Sequence, residues 1–114
     1  MSVFQLDDLR RAHERGDRLY HEFLRVPALS AGLYVLPEGG TDPQQPHTED
    51  EVYFIVAGRG QIEIAAESSP VQAGSVIFVP AHVAHRFHSI AQELTVLVVF
   101  APAEYTHKPT QANS

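Results

Sequence analysis

GGTDPQQPHTEDEVYFIVAG, residues 39–58, changes character halfway along. Its first half is a loop by composition, with Gly39, Gly40, Pro43 and Pro46 breaking any regular element. Its second half alternates, with Glu51, Tyr53 and Ile55 on one side and Val52, Phe54 and Val56 on the other. That is the period of a strand. Between the two halves, QPHTEDE at 45–51 brings together an amide, an imidazole and three acids. Such a stretch is either a solvated acidic turn or half of a metal site.

The geometry of a hairpin favours the second reading. Thr48-Glu49-Asp50 fits a three-residue loop between antiparallel strands. His47 and Glu51 would then face each other with Cβ atoms roughly 4.5–5.5 Å apart. Gln45 shares the face of His47, and Pro46 points away, where an edge tolerates its missing N–H. An amide oxygen, an imidazole and a carboxylate converge within reach of one ion, at bond lengths of about 2.0–2.2 Å. Glu49 and Asp50, at the loop tip, are assigned to solvent. A further ligand must come from another strand, and VPAHVAHRFHSI at 79–90 offers His82, His85 and His88. Phe87 marks the interior face, so His85 points inward and His88 outward. His82 falls in the turn after Pro80, at the mouth of the site.

Working outward, the rest of the chain reads as strands. Leu6, Leu9 and Ala12 recur at helical spacing before Gly16, giving one short amphipathic helix over about 5–16. RLYHEFLRV, AGLYVL, EVYFIVAG, GQIEIAA, SVIFVPA, HRFHSI and LTVLVVFA then follow at the spacing of an all-β sandwich or barrel. Gly58-Arg59-Gly60, Glu67-Ser68-Ser69 and Ala91-Gln92-Glu93 are read as turns. The barrel is expected over about 18–101, with a loose tail over 102–114. Everything fits one domain of 114 residues, whose 44% hydrophobic content suffices for a core.

The composition narrows the chemistry. There is no cysteine, hence no disulfide, thiolate site or cysteine nucleophile. A net charge of -6, with no sustained basic face, argues against nucleic acid as a partner. No apolar run has the ~18–20 residues of a membrane span, and residues 1–10 do not look like a signal peptide. The expectation is a cytoplasmic protein. No G-x-S-x-G surrounds any serine, so a nucleophile elbow is absent. Seven histidines are the compositional oddity.

The spacings resemble the cupin superfamily, specifically its small single-domain, RmlC-like members. The first cupin motif, G-x5-H-x-H-x(3,4)-E-x6-G, aligns with Gly39, Gln45, His47, Glu51 and Gly58. The second, G-x5-P-x-G-x2-H-x3-N, aligns with Gly74, Pro80, His82, His85 and Ser89. This sequence departs from the motifs at Gln45, His82 and Ser89. The resemblance implies a jelly-roll barrel (a double-stranded β-helix) with a metal in its mouth, held by the positions of Gln45, His47, Glu51 and His85. In ligand type the set is also similar to type I phosphomannose isomerases, whose zinc site uses Gln-x-His.

Two imidazoles, one carboxylate and an amide oxygen suit Zn²⁺, Fe²⁺ or Mn²⁺. A divalent ion with open positions polarises a carbonyl, stabilises an enediolate or acidifies water. The expected function is therefore a metal-dependent isomerase, lyase or dioxygenase acting on a small polar metabolite. The alternative is a metabolite- or sugar-binding module without catalysis. Tyr53, in phase with Glu51, is the candidate proton donor; Tyr34, Tyr53, Phe87 and His82 are the candidate pocket residues. Val52, Phe54 and Val56 make the opposite face apolar too. That face needs covering by the helix or by a second copy in a homodimer.

Overall fold

The computed structural model describes residues 1–44 and 46–106. One helix, α1 (Leu6–Arg15), precedes six strands: β1 (Tyr20–Val26), β2 (Leu29–Leu36), β3 (Asp50–Ile64), β4 (Glu67–Gln72), β5 (Val76–Val79) and β6 (His85–Ala101). All strand pairs are antiparallel. The all-β jelly roll with one short helix expected from the sequence is the fold observed.

β3 and β6 organise it. They pair from Asp50↔Ala101 at one end to Ile64↔His85 at the other. The first half of β3 also pairs with β5, and its second half with β4. The second half of β6 continues onto β2, which carries β1 at the edge. Both long strands thus run through one six-stranded sheet that bends around a single core, including Tyr34, Leu36, Tyr53, Ile55, Ile62, Phe87, Leu94, Val96 and Phe100. In a straight strand Glu51 and Ile64 would stand about 44 Å apart at roughly 3.4 Å per residue. Yet His85, the partner of Ile64, has its Nε2 atom 3.0 Å from Glu51 Oε1. The bend of the two long strands closes the barrel and makes the site.

That bend corrects two turn assignments. Gly58-Arg59-Gly60 and Ala91-Gln92-Glu93 are not loops between strands; they lie inside β3 and β6, where the register between the two becomes irregular. Gly58 has φ +91°, and a Cβ there would fall 1.9 Å from the Glu93 carbonyl oxygen. Glycine at this position marks a bulge with close backbone approach. The tight turn lies instead at Ala65 and Ala66, both at positive φ, joining β3 to β4. Glu67-Ser68-Ser69, read as a turn, is the start of β4.

The alternation in β3 holds. Glu51, Tyr53 and Ile55 are buried, whereas Val52 and Phe54 are each 40% exposed. α1 packs on β1 and β2 and leaves these outward residues of β3 uncovered. The expected loose tail is only partly a tail: Ala103 and Glu104 are buried, with Glu104 N–H donating to Ser30 Oγ at 2.9 Å. Residues 107–114 lie outside the described residues. No helix of the described residues is long and apolar enough to cross a membrane.

Candidate metal centre

His47, Glu51 and His85, all buried, bring one potential ligand atom each to within 4.8 Å of one another. Glu51 and His85 arrive on the inward faces of β3 and β6, as the alternation predicts. His47 arrives differently. No strand contains it, because both edges of β3 at Glu51 are already taken, by Val79 of β5 and by Phe100 of β6. The expected hairpin across Thr48-Glu49-Asp50 therefore does not form. His47 is placed instead by its carbonyl, which accepts from His82 N at 2.7 Å, and by its ring, edge-on to Phe100 at 4.8 Å.

The loop tip also differs from expectation. Glu49 is buried, its carboxylate accepting from the Thr48 hydroxyl. Asp50 is exposed, and its Oδ1 accepts from Ala81 N at 2.8 Å, tying the start of β3 to the turn before β6. Gln45, the candidate amide ligand, lies outside the described residues. Its neighbour Gln44 is committed elsewhere: its Nε2 donates to Asp42 Oδ2 at 2.8 Å and its Oε1 accepts from the Tyr53 hydroxyl at 2.9 Å.

Asp42 holds this loop to the barrel. Buried at 6% exposure, it accepts from the Tyr34 hydroxyl, from Phe87 N at 2.8 Å and from Gln44. Burial, then the hydrogen bond to Asp42, push the Tyr34 hydroxyl well up, and burial followed by the charge of Glu51 does the same to Tyr53. Both phenols stay protonated as donors. Phe87 packs against Tyr53 with ring centroids 5.2 Å apart. Tyr34, Tyr53 and Phe87 thus belong to the interior beside the cluster. His82 has an exposed side chain at φ +68° and meets the site through its backbone N–H. His88 points away, its ring nitrogens 3.0 Å from Ser68 Oγ and 3.0 Å from Ser89 Oγ.

The donor arrangement calls for a cation. His85 Nδ1 is 2.9 Å from the Val83 carbonyl, an acceptor only, so Nδ1 carries a hydrogen. In the neutral ring Nε2 is then a lone pair, and it faces the Glu51 carboxylate at 3.0 Å with both side chains 1% exposed. Two buried acceptors confront each other, a repulsive contact unless a proton or a metal ion lies between them. Burial lowers the pKa of His85, but the Glu51 carboxylate and the Val83 carbonyl outweigh it and the net direction is up. The chemistry fits a divalent ion, which would occupy the place of that proton.

Two residues outside the sequence motifs complete the surroundings. Glu104 places Oε2 3.5 Å from His47 Nδ1, and burial together with nearby Glu22, Glu51 and Glu49 lifts its carboxyl to about 7. Tyr20 lies across Gly32, where a Cβ would meet its ring at 2.2 Å, and stacks edge-on with Tyr34 and Phe100. Its hydroxyl is buried with no hydrogen-bond partner among the described residues. No spacing rule reaches either residue, since both are brought in by tertiary packing.

The sequence model of the cupin domain family matches residues 32–101. The chain belongs to the cupin family. An uncharacterized protein of Streptomyces coelicolor is 50% identical over 104 residues, covering 91% of this cupin and 99% of its own length. Among solved structures, the Schizosaccharomyces pombe Cnp3 cupin domain aligns at a TM-score of 0.67 with 16% identity, covering 73% of this chain and 63% of that one. An RmlC-like cupin with a double-stranded β-helix fold from Methanocaldococcus jannaschii aligns at 0.67 with 20% identity, covering 75% and 84%. The two structural likenesses speak to the fold alone.

Proposed function

We propose that this cupin binds one divalent metal ion through His47, Glu51 and His85, with Gln45 as the candidate fourth ligand. On this reading it acts on a small polar metabolite as an isomerase, lyase or dioxygenase. The observation that carries the reading is the buried confrontation of His85 Nε2 with the Glu51 carboxylate at 3.0 Å. Zn²⁺, Fe²⁺ and Mn²⁺ suit imidazole and carboxylate donors. Such an ion polarises a carbonyl or acidifies a bound water. The chain's own residues supply the rest. Tyr53, kept protonated by burial and by Glu51, is the proton donor or substrate hydrogen bond. Gln44, itself held by Asp42, accepts from its hydroxyl, and Phe87 packs against its ring.

Elemental analysis of untagged protein purified without chelators tests this. The expected result is near-stoichiometric metal in the wild type, none in His85→Ala and a reduced content in Gln45→Ala. Wild-type protein that is empty and takes up no added Zn²⁺, Fe²⁺ or Mn²⁺ overturns it and favours a metabolite-binding module without catalysis.

A homodimer is part of the same reading. On the outer face of the sheet, Val52 lies opposite Phe78 and Val99, and Phe54 opposite Val76 and Leu97. These rows continue through Ala31 and Leu33 of β2, which are buried beside α1. One half of the apolar face is thus covered by the chain itself. The other half, with Val76 68% and Phe78 57% exposed, fits a second copy. Light scattering at micromolar concentration should give a dimer mass, and Phe54→Glu with Phe78→Glu a monomer.

A further inference from the structure

The face of the sheet turned away from His47, Glu51 and His85 borders a second space. Tyr34 and Leu36 of β2 belong to the core, so Val35 between them points outward, where its neighbour across the ladder is Thr95 of β6. Between these two residues and α1 lies a cavity of about 470 Å³. That is within the ~300–1,000 Å³ of small-molecule sites. Its walls are tied together. The Leu19 carbonyl accepts from Val35 N at 3.0 Å and from His13 Nε2 at 2.7 Å, joining sheet, connecting loop and helix at one atom. We propose that this cavity is a binding site for a small zwitterion with a carboxylate and an ammonium group on one skeleton, as in an α-amino acid.

The charges around the cavity carry the inference. Arg10 and Arg18 bring two guanidinium groups to it, and Glu14, Asp17 and Glu93 bring three carboxylates. None of the five makes an ion pair among the described residues. Arg10 is the sharpest case. It is half-buried, its Nε is shut off from solvent with no hydrogen-bond partner, and a guanidinium cannot shed its charge. A cationic donor in that setting calls for an anionic acceptor. A ligand that was only an anion would meet three carboxylates, and one that was only a cation would meet two guanidiniums. A molecule carrying both signs satisfies each set. Thr95, 6% exposed, adds a hydroxyl from the floor. Nothing in this site draws on the metal ligands, which face the interior of the barrel.

Isothermal titration of the purified protein with the L-α-amino acids, one at a time, tests this. Acetate and ethylammonium serve as single-charge controls, and every titration is repeated with chelator. The expected result is at least one amino acid with a Kd below about 1 mM, and no binding of either control at about tenfold that concentration. Arg10→Met keeps the apolar stem and removes the charge; it should weaken binding about 10–100-fold. Glu93→Gln, on the opposite wall and exposed, should weaken it by about tenfold. Chelator should leave the affinity unchanged. Failure of every amino acid to bind overturns the proposal, as does binding that both variants leave intact. Acetate or ethylammonium binding as tightly as the amino acid overturns the zwitterion class. Binding that chelator abolishes puts the ligand on the metal and overturns the second site.

Discussion

His85 and His47 come to the same cluster from two kinds of structure, and the contrast explains how the arrangement is held. His85 opens β6, its side chain 1% exposed, with its outer nitrogen on a carbonyl two residues away. A strand and a local backbone contact are enough to orient it. His47 stands on a loop outside every strand. It relies on the His82 N–H, the Phe100 ring and the Glu104 carboxylate, contributed by three distant segments. A ligand carried on a strand comes oriented by its ladder. A ligand carried on a loop has to be oriented by tertiary contacts, and each of those contacts is a place where the site can fail.

The largest expected effect is loss of either histidine. His85→Ala and His47→Ala should each weaken metal binding by more than about 100-fold, beyond the range for outer partners. The variants should part company in the metal-free state. His85→Ala leaves Glu51 buried without its cation, and breaking such a pair costs about 3 kcal/mol or more. His47→Ala leaves Glu104, a carboxyl that already favours its neutral form at pH below about 7, and should cost less than half as much. Urea unfolding of both variants in chelator measures the difference. Equal losses would mean that the two histidines are held alike.

A smaller effect is expected at the anchor of the C-terminal segment. Ser30→Ala removes the acceptor for the buried Glu104 N–H, at a cost of about 1–3 kcal/mol. The same change should loosen Glu104 and lower metal affinity, while the His85 tautomer stays as in the wild type. Thermal unfolding and a Zn²⁺ titration read the two consequences. Lost stability with unaltered affinity would show that the segment supports the barrel without shaping the site.

The contrast also accounts for what the sequence could tell. The inward set Glu51, Tyr53, Ile55, His85 and Phe87 was readable because alternation along a strand is a local rule, and these residues obey it. The two cupin motifs were readable because their glycines, histidines and glutamate recur at fixed spacing. The placement of His47 was only half readable. Its membership of the cluster followed from the motif, but the hairpin invoked to bring it there needed an edge of β3 that β5 and β6 already occupy. Gly58 misled for a related reason. Positive φ and close backbone approach occur in turns and in bulges alike, and only the pairing with β6 separates them. Ala65 and Ala66 gave no turn signal at all, since nothing in an alanine announces positive φ. Glu49 and Glu104 were assigned to solvent and tail because acids in polar stretches usually are solvated. Their burial is a tertiary fact.

The smallest effect is a pH dependence, and it sharpens the comparison because His85 on one side and Glu104 on the other both enter it. In the metal-free protein the His85 pKa is raised above its ordinary 6.5, and that of Glu104 rises from 4.5 to about 7. Each group therefore binds its proton more tightly folded than unfolded. The stability they contribute is fully present below the unfolded values, and it is lost as pH rises through the folded ones. For Glu104 the window runs from 4.5 to about 7, and for His85 it begins near 6.5 and extends upward. The Tm of metal-free protein should accordingly fall between pH 5 and 8. Glu104→Gln should flatten the lower part of the fall, and His85→Ala the upper part. A metal ion bound as proposed should reverse the trend, because it would compete with the same protons and bind more tightly as they leave. Calorimetric scans with saturating Zn²⁺ and with chelator should diverge as pH increases. Parallel scans would mean that no proton is exchanged for the metal, and that the confrontation of His85 with Glu51 is not where it binds.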